Sequence, residues 1–250
     1  MKRIIMMFLV NFWYLPFGLT RLFIKAAHPE KLTMEERYAL VKDVDNHAIK
    51  GGRVVVDGHG FENIPEKDGF IMYPNHQGMF DLLAIVYLMD RPISVVMKKE
   101  LANIPFLKQI IALLGAIALD RSDARQGMKV ILQVAEEVSK GRNFVIFPEG
   151  TRSKMGNKLL DFKGGSFKSA TKAKCPIVPV ALIDSYKAFD TGSIKPQKVQ
   201  VHFLEPIPYE EYQGMKTTEI AAMVKARIEA KIAEVEGTDA EHTVEENAEA

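Results

Sequence analysis

The chain has 250 residues and a formal net charge of +1, and 47% of its residues are hydrophobic. That apolar content excludes a chain that is disordered throughout, and the single cysteine, Cys175, excludes an intramolecular disulfide. Residues 234–250 contain seven acidic and no Lys or Arg side chains, so residues 1–233 carry 33 basic against 25 acidic side chains, a net charge of +8. Such a body suits anionic partners such as lipid head groups or phosphorylated substrates, although ordinary surface lysines explain the charge equally well.

The first segment of the chain is strongly apolar from Ile4 to Ile24. A helix of that length is about 30 Å long and could cross a bilayer, but Pro16 and Gly18 interrupt it near its middle. We therefore expect residues 1–30 to form a bent apolar hairpin that dips into one leaflet and anchors the protein to a membrane. A buried core helix and a true transmembrane span are the alternatives.

Residues 31–235 alternate between segments of helical periodicity and short runs rich in β-branched and aromatic residues. The alternation predicts a single α/β domain with a mixed, mostly parallel sheet flanked by helices. Residues 236–250 are predicted to be an acidic, disordered tail. The predicted helices are 34–50, 81–89, 100–114, 123–139 (with Ser122 as N-cap), 164–173 and 217–235. The predicted strands are 53–58, 69–74, 93–97, 116–120, 143–149, 176–182 and 198–207.

Polar side chains follow several of these strands, which is where ligand sites gather in α/β sheets. The segment after 69–74 reads NHQGMFD, with His76 and Asp81 five residues apart. The two can meet if His76 lies in the turn and Asp81 in the first turn of the next helix, where the helix dipole favours a carboxylate. A carboxylate bonded to one ring nitrogen leaves the other nitrogen as a base. Taken singly, Asp81 is ordinarily interpreted as the N-cap of a helix, and His76 as a polar residue at the end of a strand.

Two more strand ends present an arginine. Arg121 follows 116–120, and Arg152 follows 143–149 within the sequence EGTRS. Arginine can bind a phosphate with two hydrogen bonds, and the nearby Gly150 permits close backbone approach to a ligand. A surface salt bridge explains either arginine alone, but it does not explain why two separate strand ends present one.

Four segments in this order, NHQGMFD, GAIALDR, FPEGTRS and CPIVPVAL, resemble the four sequence blocks of the glycerophospholipid acyltransferase family. The resemblance spans about residues 75–182 and is nearest to the members that acylate the sn-2 hydroxyl of lysophosphatidate. Two positions depart from the family. Gly78 replaces the usual serine, which is expected to loosen the turn, and Ala118 replaces an aromatic residue, which is expected to reshape the acceptor or acyl pocket.

The resemblance implies a single glycerolipid-acyltransferase-like α/β domain, associated with the cytoplasmic face of a membrane. It implies that His76 is the general base, which takes the proton from the lysophosphatidate hydroxyl, and that Asp81 orients the imidazole. It assigns substrate binding to a second set of residues: Arg121, Glu149, Gly150, Thr151 and Arg152. In this set Glu149 organises the loop, and the other four residues hold the acceptor's phosphate.

The resemblance also implies the partners. The acyl donor is expected to be a thioester, acyl-CoA or acyl carrier protein, with no bound cofactor, no metal and no covalent enzyme intermediate. Membrane lipids are expected partners and nucleic acid is not. Backbone N–H groups near Gly150, or Lys98 or Lys99, are candidates for the donors that stabilise the thioester oxygen.

Three alternatives stay open. One is a relative within the family that acts on glycerol-3-phosphate or on another lysophospholipid. Another is a non-catalytic, membrane-tethered lipid-binding protein, which would not need a base. A thioesterase or lipase is the third, but the sequence has no G-x-S-x-G motif.

Overall fold

A seven-stranded sheet organises the chain in the computed structural model, which describes residues 2–120 and 123–248. The strand order is β1-β7-β6-β2-β5-β3-β4, and every neighbouring pair is parallel except β6 and β7. The mixed, mostly parallel sheet is thus confirmed. The strands are β1 Val54–His59, β2 Ile71–Pro74, β3 Ile93–Lys98, β4 Ile117–Leu119, β5 Asn143–Val145, β6 Ile177–Ile183 and β7 Gln197–Phe203.

All seven strands correspond to predicted runs, and two of them end four residues earlier than predicted. These are β5 and β7, which are followed by Pro148 and Pro206. Proline has no N–H to donate to a strand partner, so the ladder stops before it. The longest run, β6, is buried along its whole length, as expected for a strand that is covered on both faces.

Helices cover both faces of the sheet. Successive side chains of a strand point to opposite faces, so Met72 lies in one core cluster, whereas Ile71 and Tyr73 lie in the other. The first cluster includes residues of α3 and α4, and the second includes residues of α6, α7 and α10. The helices are α1 Lys2–Val10, α2 Leu15–Ala26, α3 Met34–Gly51, α4 Asp81–Leu88, α5 Leu107–Leu114, α6 Ala124–Ser139, α7 Lys168–Ala173, α8 Tyr186–Phe189, α9 Tyr209–Tyr212 and α10 Thr217–Ala248.

Three predicted helices differ from the structure. The segment 100–114 is α-helical only from Leu107, because Pro105 keeps the preceding Ile104 extended, and a 3₁₀ helix at Lys99–Asn103 comes before it. The segment 164–173 is divided into a 3₁₀ helix, Gly164–Phe167, and α7. The expected N-cap of α6, Ser122, lies outside the described residues. In the structure the Asp123 carboxylate accepts the N–H groups of residues 125 and 126.

The prediction of a disordered tail is wrong for residues 236–248. Helix α10 continues through them to Ala248 rather than ending near residue 235. Alanine and glutamate are good helix formers and no proline interrupts this stretch, so helix propensity outweighs the acidic charge on which the prediction rested. Glu236 also has a partner outside the helix, since its Oε1 accepts a hydrogen bond from Asn157 Nδ2 at 2.9 Å.

The N-terminal segment is a bent pair of helices, α1 and α2, with an angle of 101° between them. Neither helix alone, nor any other helix among residues 2–120 and 123–248, has the length and apolar character needed to cross a bilayer, whereas this bent pair meets both criteria when taken together. The break falls at residues 11–14 rather than at Pro16 and Gly18. Pro16 lies in the first turn of α2, where the missing N–H costs nothing. The division of the chain at residue 30 stays a prediction.

The hairpin packs against the domain on one side only. Arg3 is 1% exposed, and its Nη2 donates to the carbonyls of Ser193 at 2.9 Å and Lys195 at 2.7 Å. Met7 and Leu22 are buried in the first core cluster. A set of nine large apolar side chains remains exposed, so the alternative of a buried core helix is wrong. We call this set the exposed hairpin face: Ile5, Phe8, Leu9, Val10, Phe12, Trp13, Phe17, Phe23 and Ile24.

Strand direction determines where a site can form. Strands β2 to β6 all run in one direction, so their carboxyl ends lie at a single edge of the sheet, and β1 and β7 run the opposite way. The three polar strand ends singled out in the sequence follow β2, β4 and β5, and all of them therefore point to this edge.

Candidate active site

His76 and Asp81 meet at the carboxyl end of β2, as their spacing predicts. Asp81 is the first residue of α4, and its Oδ2 is 2.7 Å from His76 Nδ1. Because a carboxylate only accepts hydrogen bonds, the proton between them belongs to Nδ1 and the lone pair is on Nε2. The His76 side chain is 21% exposed and that of Asp81 is 1% exposed. The imidazole is therefore open to a substrate, while its partner is shielded from water.

The Asp81 carboxylate receives three further donors in the described part of the chain. The backbone N–H of Gln77 donates to Oδ2 at 2.7 Å, and that of Gly78 lies 3.1 Å from both oxygens. The hydroxyl of Ser185, which comes from the end of β6, donates to Oδ1. Two backbone groups and one side chain thus fix the carboxylate in addition to its bond with the imidazole.

Gly78 does not loosen the turn, contrary to expectation. Its N–H is bonded to both oxygens of Asp81, and a Cβ at this position would lie 2.7 Å from Asp190 Oδ2 and 3.1 Å from the Cα of Tyr186. The space that a serine side chain would need is filled by α8 and the residue that follows it. Glycine is therefore the residue that fits this packing.

Glu149, in the loop after the neighbouring strand β5, binds the turn that carries His76, and these bonds show how it organises the loop. The side chain is 2% exposed, its Oε1 accepts the backbone N–H of His76 at 2.7 Å, and its Oε2 accepts that of Leu160 at 3.0 Å. Burial raises the pKa of Glu149 above its usual value, and the two N–H donors act against that shift by favouring the ionised form. The N–H of Ser153 in turn donates to the His76 carbonyl at 2.8 Å. Both backbone groups of His76 are therefore bonded to the loop after β5.

That loop places Arg152 close to the turn that carries His76. Arg152 Nη1 is 3.9 Å from Asp190 Oδ1, and Asp190 is the residue that faces Gly78. About a third of the Arg152 side chain is exposed, which leaves it able to bind an anion. Thr151 is exposed on the same loop.

Gly150 has a left-handed backbone, with φ of 72°, which favours glycine. The Nζ of Lys163 lies 3.0 Å from the position that a Cβ would take there. The sequence predicts that this glycine lets a ligand approach. In the structure it makes room for the ammonium group of Lys163, a cation that is not among the site residues predicted from the sequence.

Arg121 lies outside the described residues. The strand that it follows, β4, is at the end of the sheet and is separated from β2 by β5 and β3. At ~4.8 Å between neighbouring strands, β4 is about 14 Å from β2. The structure therefore brings together His76, Asp81, Glu149, Gly150 and Arg152, with Thr151 on the same loop.

Comparison with known proteins decides the family. Residues 55–183 match the family model described as Acyltransferase. The chain belongs to the acyltransferase family. It is 34% identical over 172 residues to the 1-acyl-sn-glycerol-3-phosphate acyltransferase of Salmonella typhimurium, and equally so to that of Escherichia coli, in each case covering 68% of this chain and 70% of the relative.

A solved structure shares the fold of this acyltransferase. The crystal structure of the 1-acyl-sn-glycerophosphate acyltransferase from Thermotoga maritima superposes with a TM-score of 0.72 and 24% sequence identity. The alignment covers 94% of this chain and 98% of the other. The coverage extends the shared fold well beyond the residues of the family model.

Three candidate oxyanion donors of the acyltransferase, the N–H of Gly150 and the side chains of Lys98 and Lys99, are engaged with protein groups. The N–H of Gly150 donates to the carbonyl of Phe147 at 3.1 Å. Lys98 Nζ is 3.1 Å from Glu100 Oε1, and Lys99 Nζ is 3.1 Å from Asp120 Oδ2. Both lysine side chains are at least half exposed, so either could exchange its carboxylate partner for a substrate, whereas the Gly150 N–H is committed to its turn.

Ala118 lines a cavity of about 460 Å³ beside β4, together with other small residues. The expectation that this departure from the family reshapes a substrate pocket stays a prediction. Among the described residues there is no group of three or more His, Cys, Asp or Glu side chains that could hold a metal ion.

The residues that connect the turn to the rest of the site are not among those predicted from the sequence. Asn157 Oδ1 accepts from Gln77 Nε2 at 2.7 Å and from the N–H of Asp184 at 2.9 Å. The Phe147 ring lies against the imidazole of His76, with centroids 4.2 Å apart. Ser185 could have been found, because it follows the fourth sequence block at the same edge of the sheet. No sequence pattern indicates that Asn157 is a site residue, because it lies in an irregular loop.

Proposed function

We propose that this acyltransferase transfers a fatty acyl group from a thioester donor to the free sn-2 hydroxyl of lysophosphatidate, giving phosphatidate for phospholipid synthesis. The observation that carries the proposal is the hydrogen bond between His76 Nδ1 and Asp81 Oδ2 at the end of β2, beside the loop after β5 that carries Arg152. The names of the relatives in Salmonella typhimurium and Escherichia coli give the acceptor class.

The proton is handled by the His76–Asp81 pair. Nε2 of His76 takes the proton of the acceptor hydroxyl as its oxygen attacks the thioester carbonyl. The imidazolium that forms lies 2.7 Å from the Asp81 carboxylate, which stabilises it electrostatically. When the tetrahedral intermediate collapses, the C–S bond breaks and the thiolate receives the proton from Nε2. The ester forms, the thiol leaves, and the base is regenerated without a covalent enzyme intermediate.

The acceptor's phosphate is proposed to bind at the loop after β5. Arg152 and Lys163 supply two positive charges, Thr151 supplies a hydroxyl, and Arg121 is proposed to complete the set. The phosphate is thereby held beside the turn that carries His76. Binding of this kind aligns the neighbouring hydroxyl with the base, since a fixed geometry lowers the entropy cost of the reaction.

The acyl donor is proposed to be acyl-CoA or acyl carrier protein, with Lys98 or Lys99 as the donor to the thioester oxygen. Both side chains are exposed and lie at the carboxyl end of β3, on the catalytic edge of the sheet. Preorganised cations next to a developing oxyanion contribute strongly to catalysis in a partly dehydrated site.

The exposed hairpin face is proposed to anchor the enzyme to the cytoplasmic face of a membrane. Nine large apolar side chains exposed on one helical pair are costly in water, and Trp13 is a residue type that favours the membrane interface. Lys2, Arg21 and Lys25 are exposed around them and suit anionic head groups. Arg3 is not part of this set, because it is buried and bonded to backbone carbonyls.

The test is an assay of the purified protein with lysophosphatidate and either palmitoyl-CoA or palmitoyl acyl carrier protein, with phosphatidate as the product measured. We expect turnover with at least one donor. Glycerol-3-phosphate and lysophosphatidylcholine serve as competing acceptors, and a clear preference for either would replace lysophosphatidate in the proposal. No product with any acceptor would favour the non-catalytic lipid-binding alternative.

The matched variants are His76→Ala and His28→Ala. His76→Ala removes the base and should lower kcat by ~10²–10⁴-fold. His28 is an exposed histidine whose Nδ1 is 3.2 Å from Glu30 Oε1 in its own surface turn, and its removal should leave kcat unchanged. A His76→Ala enzyme with normal turnover would exclude this histidine as the base.

A further inference from the structure

We propose that Ser185 is a positioning residue for acyl transfer, which fixes the Asp81 carboxylate in the orientation that serves His76. The inference rests on the proposed function and adds one residue to its machinery. Ser185 lies two residues after β6, and its side chain is fully buried.

The two oxygens of Asp81 are used in different ways. Oδ2 faces the catalytic turn, where it meets His76 Nδ1 and the N–H of Gln77, each at 2.7 Å. Oδ1 receives the hydroxyl proton of Ser185, and the N–H of Gly78 lies 3.1 Å from both oxygens. Ser185 is the side-chain donor on Oδ1, so it opposes rotation of the carboxylate about its Cβ–Cγ bond. Rotation would move Oδ2 out of line with Nδ1.

The turn that carries Ser185 has an unusual backbone conformation. Asp184 has a left-handed backbone, with φ of 62°, which is uncommon for a residue other than glycine. It is held there by the bond from its N–H to Asn157 Oδ1 at 2.9 Å and by Lys187, whose Nζ is 2.7 Å from its Oδ2. This conformation directs the next residue inward.

Ser185 is fixed to the catalytic turn at a second point. Its N–H donates to Oε1 of Gln77 at 2.9 Å, and Gln77 is 1% exposed. The same serine therefore contacts the residue next to the base through its backbone and the partner of the base through its side chain. A serine needed only for packing would not require both contacts.

The hydroxyl of Ser185 also affects the charge that the Asp81 carboxylate presents to His76. A donor on Oδ1 neutralises part of the carboxylate's charge. Without it, the full charge acts on the imidazolium of His76 and holds its proton more firmly. Proton transfer from the imidazolium to the departing thiolate then becomes harder. The imidazole of His76 also stays protonated, and therefore unable to act as a base, up to a higher pH. Removing the hydroxyl should therefore lower kcat and move the acid limb of the rate profile to higher pH.

The experiment compares Ser185→Ala with the matched control Ser169→Ala. Ser169 is also buried, and its hydroxyl bonds the carbonyl of Ile131 on α6, which belongs to the opposite layer of the domain. For Ser185→Ala we expect kcat to fall about 10- to 100-fold, as for the loss of one hydrogen bond to a charged group, with KM for both substrates within about twofold. Ser169→Ala should keep the kcat and pH profile of the wild type.

The decisive arm is Ser185→Ala in the His76→Ala background. Because Ser185 acts through Asp81 and His76, it should cause no further loss once the base is absent. An equal loss in both backgrounds, or a rise in KM with unchanged kcat, would overturn the proposal. If Ser185→Ala fails to fold, Ser185→Cys tests the same point with a weaker donor, and wild-type kcat in that variant would likewise overturn it. Absence of turnover in the wild-type enzyme would contradict the proposed function instead.

Discussion

Glu149 accepts the backbone N–H of His76 at 2.7 Å, so a carboxylate from the end of β5 holds the turn at the end of β2. Its other oxygen takes the N–H of Leu160, eleven residues further along the chain. One buried side chain thus closes the loop that carries Thr151 and Arg152 and fixes it to the backbone of the base. The loop proposed to bind the phosphate and the histidine proposed as the base are parts of one hydrogen-bonded unit.

Glu149→Gln should disrupt this unit although the shape of the side chain is kept. The amide has one acceptor oxygen, so its NH₂ group would face one of the two backbone N–H donors. We expect the free energy of unfolding to fall by ~1–3 kcal/mol, the cost of an unsatisfied buried group, and kcat to fall as well. Chemical denaturation and the phosphatidate assay measure the two effects.

The control for this change is Glu62→Gln, which alters an exposed glutamate of the 3₁₀ helix Phe61–Asn63. It should change neither stability nor kcat. Retention of full activity by Glu149→Gln would show that the loop keeps its place without the carboxylate.

Arg152→Ala should mainly weaken binding of the phosphorylated acceptor. The loss of a charge-assisted bond is worth ~1.5–3 kcal/mol, which corresponds to a rise of about tenfold or more in KM for lysophosphatidate. KM for the acyl donor should change less. Steady-state kinetics with each substrate varied in turn distinguish the two effects.

Lys172→Ala is the charge-matched control, because Lys172 is exposed on α7. It should leave both KM values unchanged. A larger effect of Arg152→Ala on the donor would mean that the loop binds the phosphates of coenzyme A rather than those of the acceptor.

Much of the fold could be predicted from local pattern, because the strands are short apolar runs closed by prolines and polar turns. The contact between His76 and Asp81 is also local, and their spacing of five residues is enough to suggest it. The bonds from Glu149 and Ser185 are different, since they join residues 73 and 104 positions apart. No periodicity records such a pairing; it follows from the strand order, in which β5 and β6 flank β2. The bend in the hairpin lies before Pro16 rather than at it, because a proline in the first turn of a helix does not interrupt that helix.

Membrane binding should depend on the exposed hairpin face. The double variant Trp13→Ser, Phe17→Ser removes two of its most exposed side chains, which are 84% and 80% exposed, while leaving buried Met7 and Leu22 in place. We expect it to sediment with anionic vesicles much more weakly than the wild type, because burial of each such side chain in lipid is worth ~1.5–3 kcal/mol.

The control is Met128→Ser, Leu132→Ser, which removes two exposed apolar side chains from α6 on the opposite layer of the domain. It should bind vesicles as the wild type does. Equal vesicle binding by the hairpin variant and the wild type would contradict the anchoring proposal, and the exposed face would then need another partner.

Acid stability should depend on His202, which lies on β7. Its ring stacks on that of His59, with centroids 4.4 Å apart, and it is 9% exposed. Burial, with a smaller contribution from the positive charge of His59, lowers the pKa of His202 to about 4 from its ordinary value of 6.5. Between these values the unfolded chain binds a proton that the folded chain does not. Stability is therefore complete above pH 6.5 and falls as the pH is lowered toward 4.

His202→Gln should remove this contribution and flatten the loss of stability between pH 6.5 and 4. The difference from the wild type should be on the order of 1–3 kcal/mol at the acid end and close to constant above pH 7. Urea denaturation at several pH values measures it, with His28→Gln, an exposed histidine, as the control that should keep the wild-type slope. If wild type and His202→Gln lose stability in parallel down to pH 4, the stacked pair is not the source of the acid sensitivity and the buried carboxylates would account for it.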